Sequence, residues 1–137
     1  MSITAEQRDE LIQRALQARG RAYAPYSGYA VGAAVLSGSG TIYSGANVEN
    51  AAYPSGVCAE RSAVFNAVGE GERRITAVVV ATKNGGTPCG SCRQVLSEFG
   101  PEAEVLMVDS SGRIVSQTTV ASLLPQAFGA SHLPKTG

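Results

Sequence analysis

Apolar residues along the chain change their spacing several times, and each change marks an element. Leu11, Ile12, Ala15 and Leu16 recur at helical intervals behind Thr4 and Gln7, which have the spacing of a capping box. This predicts a first helix from about residue 4 to Gly20. YAPYSGY, residues 23–29, reads as a loop dense in tyrosine, proline and glycine. Ala30–Leu36 and Thr41–Gly45 read as strands joined by a tight turn, Ser37-Gly-Ser-Gly40. The segment ANVENAAYPSGV, 46–57, is a loop, polar at first and then broken by Pro54 and Gly56. From Cys58 to about Val68 the pattern is helical again, with small residues on much of the surface. Ile75–Ala81 is an apolar, β-branched run in which Thr76 alone is polar, the mark of a strand buried on both faces. A loop at 83–88 leads into a helix from about Cys89 to Phe99. Two strands, Glu104–Val108 and Arg113–Gln117, flank the turn Asp109-Ser-Ser-Gly112. A short helix near 119–124 stops before Pro125, and the tail from about 130 to 137 is expected to be loose.

Helix, strand, strand, helix, strand, helix, strand, strand, helix is the order of an α/β domain with helices on both faces of a five-stranded sheet. At 137 residues, with no internal repeat and no linker, the chain is expected to form a single domain over 1–137. Eleven basic residues balance eleven acidic ones, which leaves no positive surplus for holding a polynucleotide backbone. The apolar runs are too short to span a bilayer. The N-terminus also lacks the positive-then-apolar pattern of a secretion signal, so a cytoplasmic location is expected.

Composition becomes specific at the cysteines, of which there are three: Cys58, Cys89 and Cys92. An odd number in such a chain points to metal binding or thiol chemistry rather than a disulfide framework. Taken alone, TPCGSCRQ at 87–94 fits either a redox pair or part of a zinc site. His132 is available as a fourth ligand if that zinc is structural. Each cysteine-bearing segment places a loop before a cysteine at the first turn of a predicted helix, where free N–H groups favour thiolate. Two such helices aimed at one point could gather all three sulfurs around one zinc and leave an open fourth position. Glu60, two residues after Cys58, is then near enough to exchange protons with water at that position. Arg93, Gln94 and Glu98 read as surface positions of the helix that carries Cys92.

C-A-E at 58–60 followed about thirty residues later by P-C-G-S-C at 88–92 resembles the zinc-dependent nucleobase deaminases. YAPYSGYAVGAA (23–34), GANVENAAYPSGVCAERSA (45–63), TPCGSCRQVLSEFG (87–100) and LLPQAFG (123–129) extend the resemblance to the small cytidine deaminases over nearly the whole chain. The resemblance implies a three-layer α/β/α sandwich around a five-stranded mixed sheet, and hydrolysis of cytidine and 2′-deoxycytidine to uridine and 2′-deoxyuridine. It implies one zinc per chain on Cys58, Cys89 and Cys92, with Glu60 as the proton shuttle. Asn47 and Glu49 would bind the ribose hydroxyls, and the main chain of Ala59 the pyrimidine edge. Tyr29 stands where the family usually has a phenylalanine beside base and sugar, and so adds a hydroxyl there. Phe128 would enter a neighbouring subunit's pocket, with Tyr53 at the same seam, in a homotetramer with shared sites. Three thiolates on zinc carry a net negative charge, and Arg61 is placed to offset it by donating to a ligand sulfur.

Overall fold

In the computed structural model, which describes residues 3–134, the capping box forms as its spacing predicts. Gln7 N donates to the Thr4 hydroxyl and Thr4 N to Gln7 Oε1, each at 3.0 Å. Helix α1, Ala5–Arg19, starts there. Strands β1 (Gly32–Ser37) and β2 (Ile42–Ala46) follow, then α2 (Ala59–Gly69) and β3 (Ile75–Ala81). Helix α3 (Gly90–Phe99), β4 (Glu104–Val108), β5 (Ile114–Thr119) and the short α4 (Val120–Leu123) complete the order. Of the tail, Ala130–His132 form a 3-10 turn, and residues 135–137 lie outside the described residues.

β1 begins two residues later than the apolar run suggests, because the Asn47 side chain accepts the Val31 N–H. β5 extends to Thr119, which pairs with Glu104. The loop at 46–57 is more ordered than its composition implies: Val48 bridges Tyr23 and Val57, and Tyr53–Ser55 form a 3-10 turn.

The five strands lie in the order β2-β1-β3-β4-β5, with β3 and β4 parallel and the other neighbours antiparallel. Alternation divides the side chains into two cores. Ala34, Leu36, Ala77, Val79, Leu106 and Val108 face α1, where Leu11 and Ala15 are fully buried. Ala33, Val35, Val78, Val80, Val105 and Met107 face the opposite way, toward Ala59, Ala63, Val64 and Ala67 of α2 and Leu96 of α3. The result is the expected three-layer sandwich around a mixed sheet.

Two glycines let the outer layers approach the sheet. A Cβ on Gly32 would lie 2.1 Å from the Ala15 carbonyl oxygen, and one on Gly45 would lie 2.6 Å from the Ala63 nitrogen. α1 and α2 therefore rest on strand backbone at these points. That seating decides where α2 begins. β2 and β3 are each antiparallel to β1 between them, so they share a direction, and both α2 and α3 start beyond the same edge of the sheet. Such an edge is the usual ligand position in open α/β sheets.

Gly32→Ala should lower the free energy of unfolding in urea by about 1–3 kcal/mol, the ordinary cost of overpacking. A midpoint equal to that of the parent chain would contradict the close seating of α1.

Candidate active site

Cys58 is the N-cap of α2 and Cys89 the N-cap of α3, both with extended backbone. Each cap carbonyl accepts from the helix, Ser62 N to Cys58 O and Arg93 N to Cys89 O, both at 3.0 Å. Neither thiol caps its helix, so the sulfurs are free to turn toward a common point. Cys92, one turn into α3, is buried and completes the group. The sulfurs of Cys58 and Cys89 are 3.9 Å apart, and those of Cys89 and Cys92 3.5 Å. All three lie within 4.8 Å of one another. The edge of a tetrahedral zinc–thiolate site is about 3.8 Å for Zn–S bonds of about 2.3 Å, so the spacing fits one zinc. A redox pair of Cys89 and Cys92 would leave the third converging thiol unexplained. His132 is not part of the group, because its Nδ1 accepts from Gly129 N and its ring stacks on Phe128.

The electrostatics of the group are uneven. Cys58 is lowered to about 5, mainly by hydrogen bonding from Cys92 and then from Arg61. An Arg61 nitrogen donates to Cys58 Sγ at 3.8 Å. Cys92 moves the other way: its proton is held by its bond to Cys58, by burial and by the neighbouring Glu60 charge. Thus one thiolate forms readily and opposes a second until a cation replaces the protons. Glu60, in the first turn of α2, is only 5 % exposed. Burial raises it to about 6, with the Cys58 charge adding to the shift. A carboxyl so poised can both take and return a proton near neutral pH.

A cavity of about 300 Å³ opens beside the sulfurs, and Tyr29, Asn47, Glu49, Ala59, Glu60 and Thr82 are among its walls. A second, of about 470 Å³, adjoins it across Asn47 and Glu49 and reaches Tyr26, Tyr53 and Arg61. Asn47 Oδ1 accepts from Val31 N and its Nδ2 donates to Tyr29 O, each at 2.9 Å. Glu49 accepts from the backbone of Tyr26 and Ser27 and from the Ser27 hydroxyl. Both side chains therefore hold the 23–31 loop in place while lining the cavity. Tyr29 donates its hydroxyl to Asn84 Oδ1 at 2.7 Å.

Tyr53 is 76 % exposed, edge-on to Tyr26 at the outer rim. Phe128 is 58 % exposed, and among the described residues it lines neither cavity. Arg93 is not a plain surface residue. It donates to Pro88 O, Leu123 O and Thr87 Oγ1 at 2.8–2.9 Å, which fixes the approach to Cys89. Gln94 donates to Phe128 O at 2.9 Å. Sequence reasoning also passed over Ser27, Thr82 and Asn84. Thr82, which directly follows the β3 run, is buried and accepts from Gly86 N at 2.7 Å. A polar residue ending an otherwise apolar strand was the available signal.

Residues 5–108 match the family described as the cytidine and deoxycytidylate deaminase zinc-binding region. The chain is 45 % identical over 127 residues to a cytidine deaminase of Sporosarcina psychrophila, covering 91 % of this chain and 93 % of that one. It is 44 % identical to a cytidine deaminase of Halalkalibacterium halodurans, covering 92 % and 97 %. A crystal structure of cytidine deaminase from Burkholderia pseudomallei superimposes with a TM-score of 0.83 at 41 % identity, covering 92 % of this chain and all of that one.

The Cys58, Cys89 and Cys92 group is positioned to hold one zinc per chain. Elemental analysis of the purified protein should find about one zinc per chain, and less than about a tenth of that in Cys92→Ala, since Cys92 supplies one of only three converging sulfurs. Full zinc in that variant would exclude the three-sulfur site.

Proposed function

The chain belongs to the cytidine and deoxycytidylate deaminase family, and from that premise we propose that it hydrolyses cytidine and 2′-deoxycytidine to uridine and 2′-deoxyuridine, releasing ammonia. The observation that carries this reading is the convergence of three cysteine sulfurs within 4.8 Å beside a buried glutamate, on the wall of a nucleoside-sized cavity. Cys58, Cys89 and Cys92 would hold the zinc, which would supply the Lewis acidity that makes water nucleophilic near neutral pH.

Glu60 takes a proton from the attacking water and delivers it to N3 of the base. As the C4–N bond breaks, Glu60 passes a second water-derived proton to the departing amino group, so cytidine and water become uridine and ammonia. Its burial suits both directions of transfer, because the neutral carboxyl is stabilised without being locked in. The Ala59 main chain binds the pyrimidine edge at the same helix N-terminus. Asn47 and Glu49 bind the ribose hydroxyls. Asn47 spends one of its two amide hydrogens on Tyr29 O, and Glu49 spends three acceptor sites on the loop, so each has capacity left. The Tyr29 ring packs against base and sugar. Arg61 stabilises the anionic cluster by donating to Cys58.

The active particle is a homotetramer in the cytoplasm, serving pyrimidine salvage. Phe128 and Tyr53 are large aromatic residues left exposed on the isolated chain, as expected of side chains that enter a seam between subunits. At such a seam Phe128 closes a neighbouring pocket.

Glu60→Gln keeps the shape of the side chain and removes the shuttle. Turnover of cytidine, followed by loss of its absorbance, should fall by at least about a hundredfold with zinc content unchanged. Parent-like turnover in that variant would end the mechanism. Sedimentation should give a four-chain particle for the active protein, and an active monomer would refute the shared site.

A further inference from the structure

Two loops face each other across the inner cavity, residues 23–31 on one side and 82–88 on the other. Each is held from behind by its own contacts. Asn47 and Glu49 secure the first. The second is secured by the Thr82 hydroxyl, by Arg93 at Thr87 and Pro88, and by a backbone bridge from Asn84 to Asp109. Among the described residues, the bond from the Tyr29 hydroxyl to Asn84 Oδ1, at 2.7 Å, is the one side-chain hydrogen bond that joins these loops.

The surroundings are shaped to admit this bond. A Cβ on Gly86 would lie 2.6 Å from the Tyr29 hydroxyl oxygen, and one on Gly85 would lie 2.6 Å from a Val115 methyl. The glycine pair thus threads between the tyrosine tip and β5. Tyr29 is also fixed at its backbone, where its N–H donates to the Ser27 hydroxyl and its carbonyl accepts from Asn47. With its hydroxyl held as well, the ring is anchored at both ends and stands as a fixed wall.

We propose that Asn84 is a positioning residue for the nucleoside pocket: it holds the Tyr29 ring as a preformed wall and ties that wall to the loop that delivers Cys89. This rests on the deaminase reading above. Asn84 does not touch the reacting atoms. It acts through Tyr29, by removing rotational freedom that binding would otherwise have to remove.

Kinetics with cytidine on the parent, Asn84→Ala, Tyr29→Phe, the double variant and Asn84→Asp test this. KM should rise about three- to tenfold in each single variant, the range that one neutral hydrogen bond supplies, with kcat moving less than KM. The double variant should be no worse than either single one, because both break the same bond. Asn84→Asp keeps an acceptor oxygen and should stay close to the parent. A KM within about twofold of the parent in either single variant, or effects that multiply in the double, would overturn the proposal. Amide hydrogen exchange gives a readout independent of turnover: Gly85–Thr87 should exchange faster in both single variants, and unchanged protection would count against the clasp. A parent protein that fails to turn over cytidine would instead undo the deaminase reading, and exchange would still judge the clasp.

Discussion

The structure depends on one constraint: two helix N-termini must meet at a point where three sulfurs lie within 4.8 Å of one another. A single helix can bring Cys89 and Cys92 together, but Cys58 has to arrive from elsewhere. The sheet solves this by placing β1 between two strands of opposite direction to it, so the chain leaves β2 and β3 at the same edge. α2 must then lie low enough on the sheet to reach α3, and this is where small residues matter. Ala59, Ala63 and Ala67 are fully buried, and Gly45 has no Cβ to hold the helix away. A larger side chain at any of these positions would shift Cys58 along with the helix that carries it.

Gathering thiols also gathers negative charge, and the remedy is local. Each helix N-terminus offers roughly half a positive charge. Arg61, one turn after Cys58, adds a full one from the rim of the outer cavity. Its Nε is buried with no partner among the described residues, so its contact with sulfur is made by the terminal nitrogen alone. Glu60 sits between these influences. Burial and the Cys58 charge both favour its protonated form, and Arg61 opposes them. Placing anion and acid two residues apart on one helix turn keeps both tied to the same backbone.

Much of this was legible in the sequence, because its signals are local or strongly patterned. The capping box at Thr4, the buried run Ile75–Ala81 and the cysteine-led helices all depend on near neighbours, and all form where expected. What was illegible depends on partners far along the chain. β1 starts late because of Asn47, sixteen residues beyond Val31. Arg93 looks like any exposed helical arginine until the fold brings Leu123 within reach. Asn84 gave no signal, since its partner Tyr29 lies fifty-five residues away and the added hydroxyl of Tyr29 does not by itself name a partner.

These long-range polar contacts divide the labour differently from the core. Apolar alternation fixes where the sheet and helices lie, and with them the sulfurs and Glu60. It does not position the cavity walls, which lie on loops that bury little apolar surface, Tyr23, Tyr26 and Tyr29 staying exposed. There, each wall is set by a side chain that binds backbone: Asn47 and Glu49 for 23–31, Thr82 and Arg93 for 82–88. Such bonds are directional and individually worth only about 0.5–1.5 kcal/mol net, so they add precision more than stability. A residue such as Asn47 can therefore hold the loop and line the cavity together, because the bonds to loop backbone also fix the side chain that faces the cavity. The metal centre is a consequence of packing, and the pocket around it a consequence of hydrogen bonding. Substitutions in the two should differ in kind, the first disturbing metal and fold together and the second altering binding within an intact fold.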